Sequence, residues 1–186
     1  MNQNILPIII EELSKILKKH KIKLVLMGGI ATSILAKPRA TFDIDGMIET
    51  AEEEIKKILP ELKKRGFKFD SRQPLKKIQG LPFLSLYFPS YKTYVDLFIA
   101  SNEFQKETIK RAKQIKYGRV NIYMVSPEDL ILIKLHSGRE KDVEDIRDIV
   151  VENKDKLDYL HLKKWAQKLG VAVFLEDELK SLGIKI

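Results

Sequence analysis

Cysteine is absent, and histidine occurs only at His20, His136 and His161. The first absence excludes disulfides, thiolate nucleophiles, cysteine-held iron–sulfur clusters and thiolate zinc sites. The wide spacing of the histidines leaves oxygen as the donor for any metal, which favours a hard cation such as Mg²⁺. Long apolar runs are also missing: residues 24–27 and 130–133 fall far short of the ~20 residues of a membrane helix. The first residues lack a basic region followed by an apolar stretch and a small-residue cleavage site, so the expected location is the cytoplasm. Internal repeats and Gly/Ser/Pro-rich spacers are lacking, which argues against a flexibly linked array.

Basic residues outnumber acids by 34 to 26, for a net charge of +8 and a pI near 9.4. That excess fits a polyanionic partner, and equally the Lys/Glu-rich surface of a heat-adapted protein. With 44% hydrophobic and 32% charged residues the chain has a core to bury. Its 186 residues are too few for two full-sized domains.

Leu6, Ile9, Leu13, Ile16 and Leu17 recur mostly at three- and four-residue steps and predict an amphipathic helix over 4–20. "KIKLVLMGG" reads as a buried strand over 22–27 ending in a glycine turn, and "IATSILAK" as a short helix stopped before Pro38. "TFDIDGMIE" is the next strand. A helix over 52–65 follows, closed by Gly66, in which Pro60 is expected to cause a kink or a break. Strands are predicted at 67–70, 82–88 and 93–100, with 71–81 a loop or irregular edge. Residues 102–113 read as a helix, and "IKYGRVNIYMV" as two short strands about Tyr117 and Gly118. Ser126 as N-cap with Pro127 behind it opens an all-helical stretch, with helices at 127–136, 140–152, 158–169 and 172–182. The expected class is α+β: a mixed β-sheet flanked by helices over 1–125, and a helical region over 126–186 packed on it.

Residues two apart on a strand share a side, so Asp43 and Asp45 project together. Two carboxylates that close repel each other, and a divalent cation relieves the repulsion; two solvated surface aspartates are the plainer alternative. "TYVDLFIA" places Asp96 inside a strand that otherwise reads as core, where an unpartnered carboxylate is costly. If the two strands are neighbours, Asp43, Asp45 and Asp96 form an oxygen cluster suited to one or two Mg²⁺ ions. Gly28 and Gly29 stand where a strand passes into a helix, so backbone amides can receive phosphate oxygens there.

"GGIA", then "RATFDID", then "VDLF" resembles the nucleotidyltransferase superfamily typified by polymerase-beta-like enzymes. The later "SPEDLILIKLHSGREKDVEDI" resembles the C-terminal motifs of its AbiEii/AbiGii-type toxin branch and of related short nucleotidyltransferases. The resemblance covers about residues 22–150. It implies a nucleotidyltransferase-like fold and transfer of NMP from an NTP to a hydroxyl, with Asp43 and Asp45 binding Mg²⁺ and Asp96 completing the site and helping to activate the acceptor. Gly28 and Gly29 would hold the triphosphate. Thr32 and Ser33 would replace the hydroxyl of the serine many relatives carry at the position of Gly29, and Arg39 with Thr41 would orient the loop before the aspartates. Lys134, Arg139, Lys141 and Asp142 would face the nucleotide. Gly46 departs from the larger apolar residue common after the aspartate pair. The resemblance further implies RNA (the tRNA end) or protein as acceptor and a cognate antitoxin as partner, while the short apolar runs imply no membrane. Two competing readings are a non-catalytic antitoxin-like module holding nucleic acid or a partner on its basic surface, and a small-molecule transferase.

Overall fold

The computed structural model describes residues 5–78 and 80–185, so position 4 of the predicted first helix and Gln79 of the predicted 71–81 loop lie outside the described residues. The chain divides into two compact units. One comprises the residues up to Ile30 together with Thr41–Met124; the other comprises Ala31–Ala40 and the residues from Val125 onward.

The first unit is built on a seven-stranded mixed sheet. Its strands are β1 (Leu24–Met27), β2 (Ile44–Ile48), β3 (Leu75–Ile78), β4 (Leu81–Phe88), β5 (Thr93–Ile99), β6 (Lys113–Tyr117) and β7 (Val120–Met124), in the spatial order β3-β4-β5-β2-β1-β7-β6. β2 runs parallel to β5 and β1 parallel to β7; the other neighbours are antiparallel. Helices α1 (Ile5–Lys19) and α3 (Glu52–Lys64) supply apolar stripes, Ile9, Ile10, Leu13, Ile16 and Leu17 from the first, Ile55, Ile58 and Leu62 from the second. These join Leu24, Leu26, Ile44, Ile48, Leu84, Leu86, Val95 and Leu97 of the sheet in one core. Each fully buried side chain of this size contributes about 1.5–3 kcal/mol. Helix α4 (Glu103–Arg111), opened by an Asn102–Gln105 capping box, leads from β5 to β6.

Gly46 belongs to this core. A Cβ there would stand 2.7 Å from Leu24 Cδ1 and 3.2 Å from Leu97 Cδ2, so the two leucines occupy the space a larger residue would fill. The departure from the common pattern is a packing exchange that leaves the strand intact.

Three expectations differ from what is observed. Residues 67–70 form a single bridge, Lys68 to Tyr87, instead of a strand. Phe67 is held by burial and by the ring of Phe88, 4.8 Å away, and needs no ladder. Within 71–81, β3 forms an edge strand although only Leu75 is even partly buried, because the backbone of β4 pairs with it. Its outward lysines, Lys76 and Lys77, guard that edge. Finally, α3 runs unbroken through Pro60. Pro60 is exposed, so the Lys56 carbonyl it leaves unbonded can turn to water, while Ile55, Ile58 and Leu62 hold the helix down on the other side.

The second unit contains most of α2 (Gly28–Leu35) and the helices α5 (Pro127–Ser137), α6 (Lys141–Asn153), α7 (Tyr159–Lys168) and α8 (Ala172–Ser181). α5 begins as the sequence predicts, with Ser126 Oγ accepting from the Asp129 amide at 3.1 Å and Pro127 in the first turn, and ends on Gly138 in the left-handed region. Among the described residues no helix is long and apolar enough to cross a membrane.

Replacing Pro60 with alanine returns a donor to the Lys56 carbonyl and is expected to stabilise the protein by about 1–3 kcal/mol. Urea unfolding measures it; a midpoint that stays or falls contradicts the idea that Pro60 strains α3.

Candidate active site

The parallel pairing of β2 with β5 sets Asp45 opposite Asp96, and the antiparallel pairing of β5 with β4 sets Asp96 opposite Ser85. In-register residues on paired strands share a face, so Asp45, Asp96 and Ser85 form a row on the side of the sheet away from α1 and α3. Both carboxylates are half-buried. Ser85 Oγ donates to Asp96 Oδ1 at 2.6 Å, which fixes the plane of that carboxylate. Carboxylates on neighbouring strands repel each other. The row therefore stores a repulsion that a cation would relieve.

Gly28 meets Asp45 from the end of β1, in line with the pairing of Met27 to Asp45. Its φ is +60°, and a Cβ on it would lie 2.0 Å from Asp45 Oδ2 and 2.7 Å from Cγ. Only glycine satisfies both conditions. Gly28 and Gly29 are the first residues of α2, so the amides of its first turn lie next to the carboxylate row.

Asp43 stands one residue before β2 and is exposed, its carbonyl accepting from Thr41 Oγ1 at 3.3 Å. Among the described residues no three His, Cys, Asp or Glu side chains converge as a metal-holding group. The donors at hand, Asp45 and Asp96 in register with Asp43 adjacent, are of the type Mg²⁺ takes. That ion is commonly bound by one or two carboxylates, its shell completed by water and substrate phosphate.

The other predicted residues are brought together with one another in the second unit. Lys134 is buried, 3% exposed, and its Nζ donates to Asp142 Oδ1 at 2.8 Å and to Asp145 Oδ2 at 2.7 Å. Arg139 Nε and Ser137 Oγ donate to Asp142 Oδ2 at 2.6 and 2.8 Å, and Arg39 pairs with Asp145 at 3.0 Å. Ser33 Oγ accepts from the Arg39 amide and donates to the Arg39 carbonyl, closing the turn after α2. Thr32 is buried and Lys141 exposed. The charge of Lys134 is thus engaged by two carboxylates, and Lys134, Asp142 and Asp145 form an internal clamp between α5 and α6. Sequence reasoning passed over Asp145 and Ser85. Asp145 lies three residues after Asp142, on one helix face, a spacing that could have revealed it; Ser85 needs the strand register.

Burial pushes the Asp142 carboxyl up, but hydrogen bonds from Lys134, Arg139 and Ser137 outweigh it and hold the carboxyl below its ordinary range. Its contribution to stability is therefore full above the unfolded carboxyl value, about 3.9, and is lost as pH falls through the lower folded value. Lys134→Met takes the shared ammonium from two buried carboxylates, leaving Asp142 to Arg139 and Ser137 and Asp145 to Arg39, and is expected to cost about 3–5 kcal/mol at pH 7. The deficit narrows on acidification, as the Asp142 carboxyl, without the Lys134 hydrogen bond that helps hold it low, protonates. Denaturant unfolding from pH 7 to pH 4 checks both; a loss below ~1 kcal/mol at pH 7 contradicts the clamp.

Known proteins can now be set beside this geometry. Over 97% of its length the chain superposes on an antigenic nucleotidyltransferase-like protein from Paracoccidioides brasiliensis, covering 94% of that chain, at 20% identity and a TM-score of 0.54. A putative nucleotidyltransferase from Thermotoga maritima matches at 19% identity and a TM-score of 0.52, over 82% of this chain and 96% of that one. The lincomycin-bound lincosamide antibiotic adenylyltransferase LnuA matches at 20% identity and 0.50, over 75% and 94%. At these identities the likeness is one of fold. No curated protein matches the sequence. The family described as "Nucleotidyltransferase of unknown function (DUF6036)" matches residues 4–182, nearly the whole chain. With that match and the shared fold, the chain that sets Gly28 against Asp45 beside Asp96 belongs to this nucleotidyltransferase family.

Proposed function

We propose that the protein is a Mg²⁺-dependent enzyme that moves NMP from an NTP to a hydroxyl group on RNA or protein. The observation that carries this reading is the carboxylate pair Asp45–Asp96, in register on β2 and β5, with Gly28 leaving its Cβ position to the Asp45 carboxylate. The amides of Gly28 and Gly29 receive the triphosphate. Asp45 and Asp96, with Asp43 beside them, would hold Mg²⁺, which would neutralise phosphate charge and polarise the α-phosphoryl group when bound.

In the transfer, the acceptor oxygen forms a bond to the α-phosphorus, and the bond from that phosphorus to the bridging oxygen breaks. Pyrophosphate leaves with the electron pair, and the hydroxyl proton passes to Asp96. Ser85 positions the Asp96 carboxylate for this through its 2.6 Å hydrogen bond. Lys134 is left out of the nucleotide contacts because its ammonium is held by Asp142 and Asp145.

Incubation with each α-³²P-labelled NTP and total cell RNA or protein tests the proposal. Label should enter one acceptor pool only with Mg²⁺ present. Asp45→Asn and Asp96→Asn should each lower incorporation at least ~100-fold, as expected for loss of charge stabilisation at the reacting phosphate. Incorporation by both variants at the wild-type rate would refute it.

A further inference from the structure

Next to the carboxylate row lies a second row on the same face of the sheet. Two residues from Asp96 on β5 is Tyr94, and two residues from Ser85 on β4 is Tyr87; these tyrosines are in-register partners. Their ring centroids lie 4.8 Å apart at 39°. Lys68 is fixed beside Tyr87 by a pair of backbone hydrogen bonds of 2.8 and 2.7 Å. Tyr94 is 52% exposed. A large aromatic ring left uncovered beside a carboxylate pair requires a reason.

These residues line a pocket of about 240 Å³, whose walls include Ser85, Tyr87, Tyr94, Phe69, Lys68 and Lys76. The volume falls below the ~300–1,000 Å³ typical for drug-sized ligands and suits a single ring system. Ser85 belongs both to this wall and to the Asp96 hydrogen bond. Two residues along a strand span ~6.6 Å, so an occupant of the pocket lies about one nucleotide's reach from Asp96.

Charge narrows the choice of occupant. Lys68 and Lys76 flank the rings, and Arg72, Lys77 and Lys92 are exposed on the same β3–β5 region of the first unit. Asp70, the acid in the wall, accepts from the amides of Arg72 and Gln73 at 2.9 and 3.3 Å and so serves a turn. An aromatic pair rimmed by ammonium groups favours a base attached to phosphates over a cationic small molecule or a neutral side chain.

We propose that Tyr87, Tyr94, Lys68 and Lys76 are an acceptor subsite for the 3′-terminal nucleotide of single-stranded RNA, with the base on the tyrosines, the phosphodiester at the lysines and the terminal hydroxyl at Asp96. The proposal rests on the nucleotidyl-transfer reading for the role of that hydroxyl, but the binding it describes is measurable without any transfer.

The test is fluorescence anisotropy of the full chain with a 5′-labelled single-stranded oligoribonucleotide, without NTP or Mg²⁺. Tyr94→Ala is expected to weaken binding about 5- to 100-fold, with Tyr94→Phe close to wild type, because the aromatic face does the work. Lys68→Ala/Lys76→Ala should weaken binding and flatten its salt dependence. Circular dichroism of Tyr94→Ala establishes that the fold is kept. Unchanged affinity in folded Tyr94→Ala, or no RNA binding by the wild type, overturns the subsite. Label entering protein instead of RNA would overturn it too, while leaving nucleotidyl transfer in place.

Discussion

The first unit is organised around the close approach of Gly28 to Asp45. The carboxylate occupies the volume any side chain at position 28 would need, and the +60° φ of Gly28 turns β1 directly into α2 at that point. The same approach sets the amides of a helix N-terminus against an acidic row, an arrangement that suits a ligand carrying both phosphate and a divalent cation. The other features of the sheet serve this geometry. The parallel β2–β5 register brings Asp96 level with Asp45, Ser85 fixes the Asp96 carboxylate, and Gly46 lets Leu24 and Leu97 fill the core directly behind the row.

The second unit handles charge in the opposite way. The cluster around Lys134 is internally satisfied: its ammonium meets two carboxylates, and those in turn meet Arg139, Ser137 and Arg39. The stretch "SPEDLILIKLHSGREKDVEDI", which resembles a functional motif of toxin nucleotidyltransferases, is here accounted for by folding. Ser126 and Pro127 start α5, Gly138 ends it, and Lys134 ties α5 to the first turns of α6. A buried lysine between two aspartates tolerates little change, so this segment is held by folding alone.

Local signals were the legible ones. The helices from residue 127 onward begin and end within one or two residues of expectation, because Ser126, Asp158 and Gly138 act on their own backbone neighbours. The strands 82–88 and 93–100 emerge from apolar alternation, and Asp43, Asp45 and Asp96 stand out as carboxylates amid apolar residues. What was not legible depends on partners distant in sequence. β3 carries no alternation and exists because β4 pairs with it, and Phe67 is buried without a ladder. Ser85 gains meaning only through the register, and the engagement of Lys134 only through a carboxylate on the next helix. The tyrosine pair was invisible for the same reason, since Tyr87 and Tyr94 sit in separate strands whose antiparallel pairing alone makes them neighbours.

The side of the sheet away from α1 and α3 thus combines a row of carboxylates with a row of aromatic rings edged by lysines, the first suited to phosphoryl chemistry and the second to recognition. The first depends on the backbone path at Gly28. The most direct test is the Mg²⁺-dependent binding of a non-hydrolysable NTP analogue by Gly28→Ala, measured by calorimetry beside the far-ultraviolet circular dichroism of the same sample. The account predicts that the helix and sheet signature persists while Mg²⁺-dependent affinity falls at least ~10-fold, as the added methyl displaces the Asp45 carboxylate. Wild-type affinity in a folded Gly28→Ala protein would contradict it.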